Sequence, residues 1–209
     1  AGIGKDDQYR VFFPGLVEPA KISKEVARKQ FEMASGDIYV AYVGRMTAIK
    51  RPDRLLNTAA EIKARNLPVK FIVAGEGDLF EATKRDCERR DLPVRFLGWR
   101  KDIGALFAAS DIAILTSDNE GIPLTLIQAA QACLPIVATG VGSVGDIVVH
   151  EVNGYLVDSE PAALADALQL LGDQLARLFL EDVAEGPGLQ RREQMLVVVV
   201  DGDHHRLAV

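Results

Sequence analysis

Three short loops in this sequence carry side chains able to hold an anion or a polyhydroxy ligand. In "GRMTAIKRP" (44–52), Gly44 closes an apolar run, and Arg45 and Lys50 stand five residues apart ahead of a proline. A guanidinium fork and an ammonium point charge at that spacing suit a diphosphate. The plain alternative is two ordinary surface cations. In "TSDNEGIP" (116–123), Glu120 precedes Gly121, Ile122 and Pro123, and an apolar-periodic stretch follows. Proline lacks an N–H that the first helical turn would leave unpaired, so the helix is expected to open at Pro123. The amides of Leu124 and Thr125 would then face a phosphate above the strand end. Glu120 either caps that helix or projects to hydrogen-bond a hydroxylated ligand. Gln128, eight residues on, is the lone polar side chain amid "LIQAA". In "AGEGD" (74–78), Gly75 and Gly77 let the backbone approach a ligand closely, or simply make a tight turn.

A fourth loop, "GVGSVG" (140–145), matches G-x-G-x-x-G, with Asp158 further on, and raises a dinucleotide-binding reading. That fingerprint belongs to the first strand-to-helix turn of its fold. Here at least four strand candidates come before it, which counts against an NAD enzyme.

The elements that must position these loops alternate along the chain. Apolar runs of strand length lie in "IYVAYVG" (38–44), "VKFIVAG" (69–75), "VRFLG" (94–98), "DIAILTS" (111–117), "PIVAT" (135–139) and "GYLV" (154–157). Helical patterns separate them: Ser23–Ala34, a stretch opened by Pro52, a charged one ending near Arg90, Ile103–Ala109, the stretch from Pro123, and Pro161 to about Ala184. Short apolar strands separated by helices indicate a parallel sheet covered on both faces. The expectation is an α/β, doubly wound, Rossmann-like domain, whose ligands bind beyond the carboxyl ends of the strands. The loops after Val43, Ala74, Leu97, Leu115 and Ala138 are the places to look. Residues 16–184 form this domain, residues 1–15 read as a linker or hinge, and residues 185–209 break the alternation. In that tail, Val197–Val200 reads as an added strand, a dimer contact or an aggregation-prone segment.

Composition narrows the partners. The 209 residues are 48% hydrophobic and 26% charged. That balance is globular. The net charge of −6 excludes nucleic acid as a main partner. The cations near Lys84–Arg90 alternate with Asp86 and Glu88, as on a solvated helix face. Cys87 and Cys133 have no metal-type spacing and are expected as reduced, partly buried thiols of a cytosolic protein. His204 and His205 lack carboxylate or cysteine support, so no metal is expected. The polar start does not read as a signal peptide, so none is expected. The run Met195–Val200 falls far short of the ~20 residues that span a bilayer. A cytoplasmic location is expected, with acceptors at a membrane surface still within reach.

Taken in order and spacing, "YVGRMTAIKRPDRLL", "FIVAGEGD", "VRFLGWRKDIGALFAASDIAILTS", "EGIPLTLIQAA", "PIVATGVGSVGDIV" and "NGYLV" resemble the carboxyl-terminal domain of family 4 glycosyltransferases. These are retaining, GT-B-fold enzymes that use nucleotide sugars. The resemblance covers roughly residues 9–180 and implies one half of a GT-B fold. It implies that Arg45 and Lys50 hold the diphosphate and neutralise the leaving group, so that no metal is needed. Gly44, Gly75, Gly121, Ile122, Leu124 and Thr125 would then line the substrate. Glu120 matches the first glutamate of the family's E-x7-E motif and would contact the sugar hydroxyls. The loop around Leu97–Arg100 would lie near the base, with Trp99 a contact.

Gln128 departs from the pattern, because a second glutamate usually holds the ribose there. An amide offers one acceptor oxygen where a carboxylate accepts from both hydroxyls of a diol. The loss is about 1–2 kcal/mol, roughly 5- to 30-fold in affinity for the sugar donor. The resemblance also implies an amino-terminal acceptor domain, supplied by a longer chain or a partner subunit. "YRVFFPGLV" resembles the hinge to it, and apolar surface meant for that domain would favour self-association. The rival expectation is a non-catalytic module that binds a nucleotide sugar or a protein.

Overall fold

The structure is a computed structural model that describes residues 22–185, with side chains to residue 177. The hinge-like segment, the histidine pair and the Val197–Val200 run lie outside the described residues.

Six strands form one wholly parallel sheet: β1 (Ile38–Val43), β2 (Val69–Ala74), β3 (Val94–Gly98), β4 (Ile112–Leu115), β5 (Ile136–Thr139) and β6 (Gly154–Val157). Their order is β3-β2-β1-β4-β5-β6. The expected doubly wound, Rossmann-like architecture is what the chain adopts.

The strands read as apolar runs because both of their faces are covered. Val40 and Tyr42 of β1, Phe71 and Val73 of β2, and Ile112 and Ile114 of β4 point to one face. There they meet α2 (Pro52–Ala64) and α6 (Pro161–Glu185) through Leu55, Ala59, Ile62, Leu164, Leu168 and Leu171. The alternate residues point to the other face. Ala41, Ala113, Leu115, Ile136 and Ala138 pack with Leu126 and Ala129 of α5 (Leu124–Gln131). Tyr39, Ile72 and Ala74 pack with α1 (Lys24–Gln30) and α4 (Ile103–Ala109). The remaining helix, α3 (Phe80–Arg89), is charged as expected; Thr83 and Cys87 are its buried residues, and Phe80 stacks edge-on against Phe96.

Several boundaries move for local reasons. Ser23 caps α1 rather than opening it, its Oγ accepting from Val26 N. The helix stops at Gln30 because Glu32 turns left-handed and the chain folds Phe31 and Met33 into the core. Cys133 is exposed, not partly buried, since it takes the left-handed position that closes α5. Cys87 is buried, and burial raises its thiol pKa. The later part of "GVGSVG" is itself a 3-10 turn, Gly142–Asp146, and the next regular element is β6. A dinucleotide site would need a helix there to face the pyrophosphate.

Candidate functional site

The sheet grows from β1 outward to β3 and then resumes at β4 on the other side of β1. At such a switch point the flanking loops diverge and leave a crevice beyond the carboxyl ends of the strands. Those flanking loops are the ones that carry Arg45 and Lys50 on one side and Glu120 on the other.

Side chains and backbone stitch the two loops together. Asp118 N donates to Ile49 O at 2.8 Å, and Thr116 Oγ1 donates to Lys50 O at 2.9 Å. Arg54, on the first turn of α2 and 5% exposed, reaches across the gap. Its Nη1 donates to Thr116 O at 2.5 Å and Ser117 O at 3.4 Å, and its Nη2 to Asp118 Oδ1 at 2.7 Å. Arg51 donates to both Asp118 oxygens at 3.1 Å and also holds Asp53. It does so from a left-handed backbone with φ 50°. That conformation is uncommon for a residue with a Cβ. The Arg54 and Arg51 guanidiniums keep the Asp118 carboxyl below the usual carboxylate range.

On that frame Lys50 and Glu120 meet. Lys50 Nζ donates to Glu120 Oε1 at 2.5 Å, with the two side chains 21% and 7% exposed. Ser117 Oγ donates to the same oxygen at 2.6 Å, and Thr139 Oγ1 donates to Ser117 O at 2.7 Å. Ser143 N donates to the Glu120 carbonyl, and a Cβ on Gly142 would lie 1.9 Å from that oxygen. The glycine loop from β5 therefore presses backbone against backbone under Glu120. Tyr42 lies beneath Gly44, with its hydroxyl buried and without a partner. Burial, and after it the Glu120 charge, pushes the Tyr42 phenol pKa well up.

The other expected site residues lie around this pair without joining it. Arg45 is exposed, and its guanidinium makes no hydrogen bond or ion pair among the described residues. Gly75, at φ +137°, has no room for a side chain because a Cβ would lie 1.9 Å from Gly44 O. Its close approach is to the Arg45 loop, so the tight-turn reading of that glycine is the structural one. Glu76 Oε1 accepts from Trp99 N at 3.3 Å, while the Trp99 ring is 62% exposed with Lys101 Nζ 5.6 Å from its centroid.

Pro123 stands just before α5 rather than as its first residue. It has φ −76° and ψ 82°, and Leu124 N donates back to Ile122 O at 2.9 Å. Those features make an inverse γ-turn. Of the two amides expected to be free, Thr125 N keeps no backbone partner. Gly121 has nothing within 4 Å of a would-be Cβ, and Ile122 and Leu124 are exposed, so the helix mouth is open. Gln128 is half-buried on the second turn of α5, and its amide makes no hydrogen bond among the described residues. A separate open hollow of about 450 Å³, lined by Gly140, Leu156, Asp158 and Ala163, shares no residue with the pair.

Reading the sequence missed Ser117, Arg54 and Asp118. Ser117 stands three residues before Glu120 in the same loop, a spacing that lets its hydroxyl reach the carboxylate, and so was findable. Arg54 looks like any cation in an amphipathic helix until the sheet order is known.

The family described as "Glycosyl transferases group 1" matches residues 23–176. A D-inositol 3-phosphate glycosyltransferase of Corynebacterium urealyticum is 31% identical over 173 residues, covering 77% of this chain and 41% of that protein. The crystal structure of Anabaena HepE in complex with UDP and glucose superposes with a TM-score of 0.64 at 25% identity, covering 73% of this chain and 42% of that one. The carboxyl-terminal domain of a group 1 family protein (LpcC) from Francisella tularensis shares the fold, with a TM-score of 0.62 at 22% identity over 74% of this chain and 84% of that domain. The chain spans 31–46% of the length of the first curated relatives it matches.

Proposed function

The chain belongs to the group 1 glycosyl transferases, and on that premise we propose that it binds a nucleoside-diphosphate sugar at the β1/β4 switch point and serves the transfer of that sugar to an acceptor with retention. The observation that carries this reading is the pairing of Lys50 with Glu120 across the switch point, with unpaired Arg45 on the same loop. Arg45 and Lys50 bind the diphosphate and stabilise the charge that develops on it as the glycosidic bond breaks. This leaves no task there for a metal. Glu120 accepts hydrogen bonds from the sugar, Thr125 N faces the distal phosphate, and Gln128 takes the ribose. The base lies by the Leu97–Arg100 loop, beside the exposed Trp99 ring.

An amino-terminal acceptor domain, in a longer chain or a partner subunit, completes the cleft. Exposed Ile49, Ile122 and Leu124 ring the switch point and face it, or a second copy of the chain. Among the described residues no helix is long and apolar enough to cross a membrane. The domain works in the cytoplasm, on acceptors in solution or at a membrane surface.

Gln128 supports a second reading, a module that holds the nucleotide sugar without turnover. Calorimetric titration with UDP, GDP and ADP tests the site, UDP first because HepE holds it. One nucleotide should bind, and Arg45→Ala should weaken it at least tenfold, since a charge-assisted bidentate bond is lost. A folded chain that binds neither these nucleotides nor their sugar conjugates at millimolar concentration refutes the proposal.

A further inference from the structure

Lys50 has two claims on it. A diphosphate needs its charge, and Glu120 already holds it at 2.5 Å. We infer that this pair makes the site discriminate an intact nucleotide sugar from the sugar-free nucleoside diphosphate, binding the first and shedding the second. The inference rests on the sugar-donor reading above and adds to it a reason for product release.

When a diphosphate draws Lys50 away, Glu120 keeps only Ser117 Oγ, on an oxygen of a side chain 7% exposed. No other cation replaces Lys50 among the described residues. Arg54 is committed to Thr116 O, Ser117 O and Asp118, Arg45 is exposed and makes no hydrogen bond to Glu120, and neither does Tyr42. A carboxylate left in that position is both desolvated and repelled by the phosphates.

The sugar of an intact nucleotide sugar removes the conflict. Its hydroxyls donate to Glu120, whose Oε2 has no hydrogen-bond partner among the described residues, as Lys50 moves to the diphosphate. Phosphate and sugar are thus bound together or not well at all. Once the sugar has been transferred, Glu120 recovers Lys50 and the nucleotide keeps Arg45 as its one remaining counter-charge.

The test is calorimetry on the full chain with UDP, GDP and ADP and the glucose conjugate of each, for wild type, Glu120→Gln and Glu120→Ala. Circular dichroism confirms that each variant is folded, and the alanine variant stands in if the glutamine one is not. Removing the carboxylate should tighten nucleoside diphosphate binding roughly 5- to 30-fold and shrink the preference for the conjugate by about tenfold or more. Unchanged or weaker nucleoside diphosphate binding by folded variants, beside a wild type that binds, overturns the coupling and leaves the sugar-donor reading intact. No binding by wild type or variants overturns both.

Discussion

Lys50, just before α2, and Arg54, in its first turn, stand four residues apart, and both reach across to the loop after β4, yet they are held very differently. Arg54 meets two backbone carbonyls and Asp118, and Arg51 reinforces the same carboxylate. Lys50 has a single partner, Glu120, which itself keeps one oxygen without a hydrogen-bond partner among the described residues. The first cluster fixes the distance between the loops. The second is a single bond on that frame, which a ligand can exchange. Buried cations with many partners are positioning devices, and those with one partner beside an open crevice are candidates for binding.

The contrast is broken most severely by Arg54→Ala. It strands Thr116 O and Ser117 O in a buried seam, and should cost about 3–5 kcal/mol of stability in urea denaturation. Arg45→Ala, at an exposed and unpaired position, should stay within about 0.5 kcal/mol while losing nucleotide affinity. If both variants lose stability alike, the division between frame and binding group is wrong.

Gln128→Glu sharpens the binding side. Restoring a carboxylate toward the ribose diol should gain about 1–2 kcal/mol, or roughly 5- to 30-fold in nucleotide affinity by calorimetry. No gain would place the ribose elsewhere or mark a nucleotide-free module.

The frame also has an acid signature. Asp118 has its pKa lowered from 3.8 by hydrogen bonds from Arg54 and then Arg51. A depressed carboxylate stabilises the fold above its unfolded pKa, and that contribution is lost as pH falls from about 4 through the folded value. Melting temperatures followed downward from pH 5 should therefore fall more steeply for wild type than for Asp118→Asn. The difference between the two curves separates Asp118 from Asp53, Asp86 and Asp102, which shift the same way. The exposed side of this pair limits the effect to about 0.5–1 kcal/mol.

The smallest effect belongs to Tyr42→Phe. Its buried hydroxyl has no partner. Deletion should leave stability at neutral pH unchanged or raise it by a few tenths of a kcal/mol. Its raised pKa means that the fold holds the neutral phenol. Stability is then present below the unfolded value of 10.0 and lost as pH climbs past it. The phenylalanine variant should lose less above pH 10 in thermal melts.

Much of this protein is written locally. Apolar runs of four to six residues, interrupted by Lys70 in β2 and Arg95 in β3, determined six strands and their parallel arrangement, because strands covered on both faces leave little polar alternation. The order of "GRMTAIKRP", "AGEGD" and "EGIP" along the chain determined which loops sit at carboxyl ends. Their residue types determined the ligand chemistry worth testing.

What the sequence left open was adjacency. Gly75 and Gly142 look alike in sequence to Gly121, yet the first two are pressed against the carbonyls of Gly44 and Glu120 while Gly121 faces open space. Lys50 and Glu120 are seventy residues apart and become partners because β4 settles beside β1 rather than beyond β3. That placement turns on packing α2 and α6 over one face of the sheet and α5 over the other. The burial of those apolar faces is a property of the assembled sheet and of no single segment.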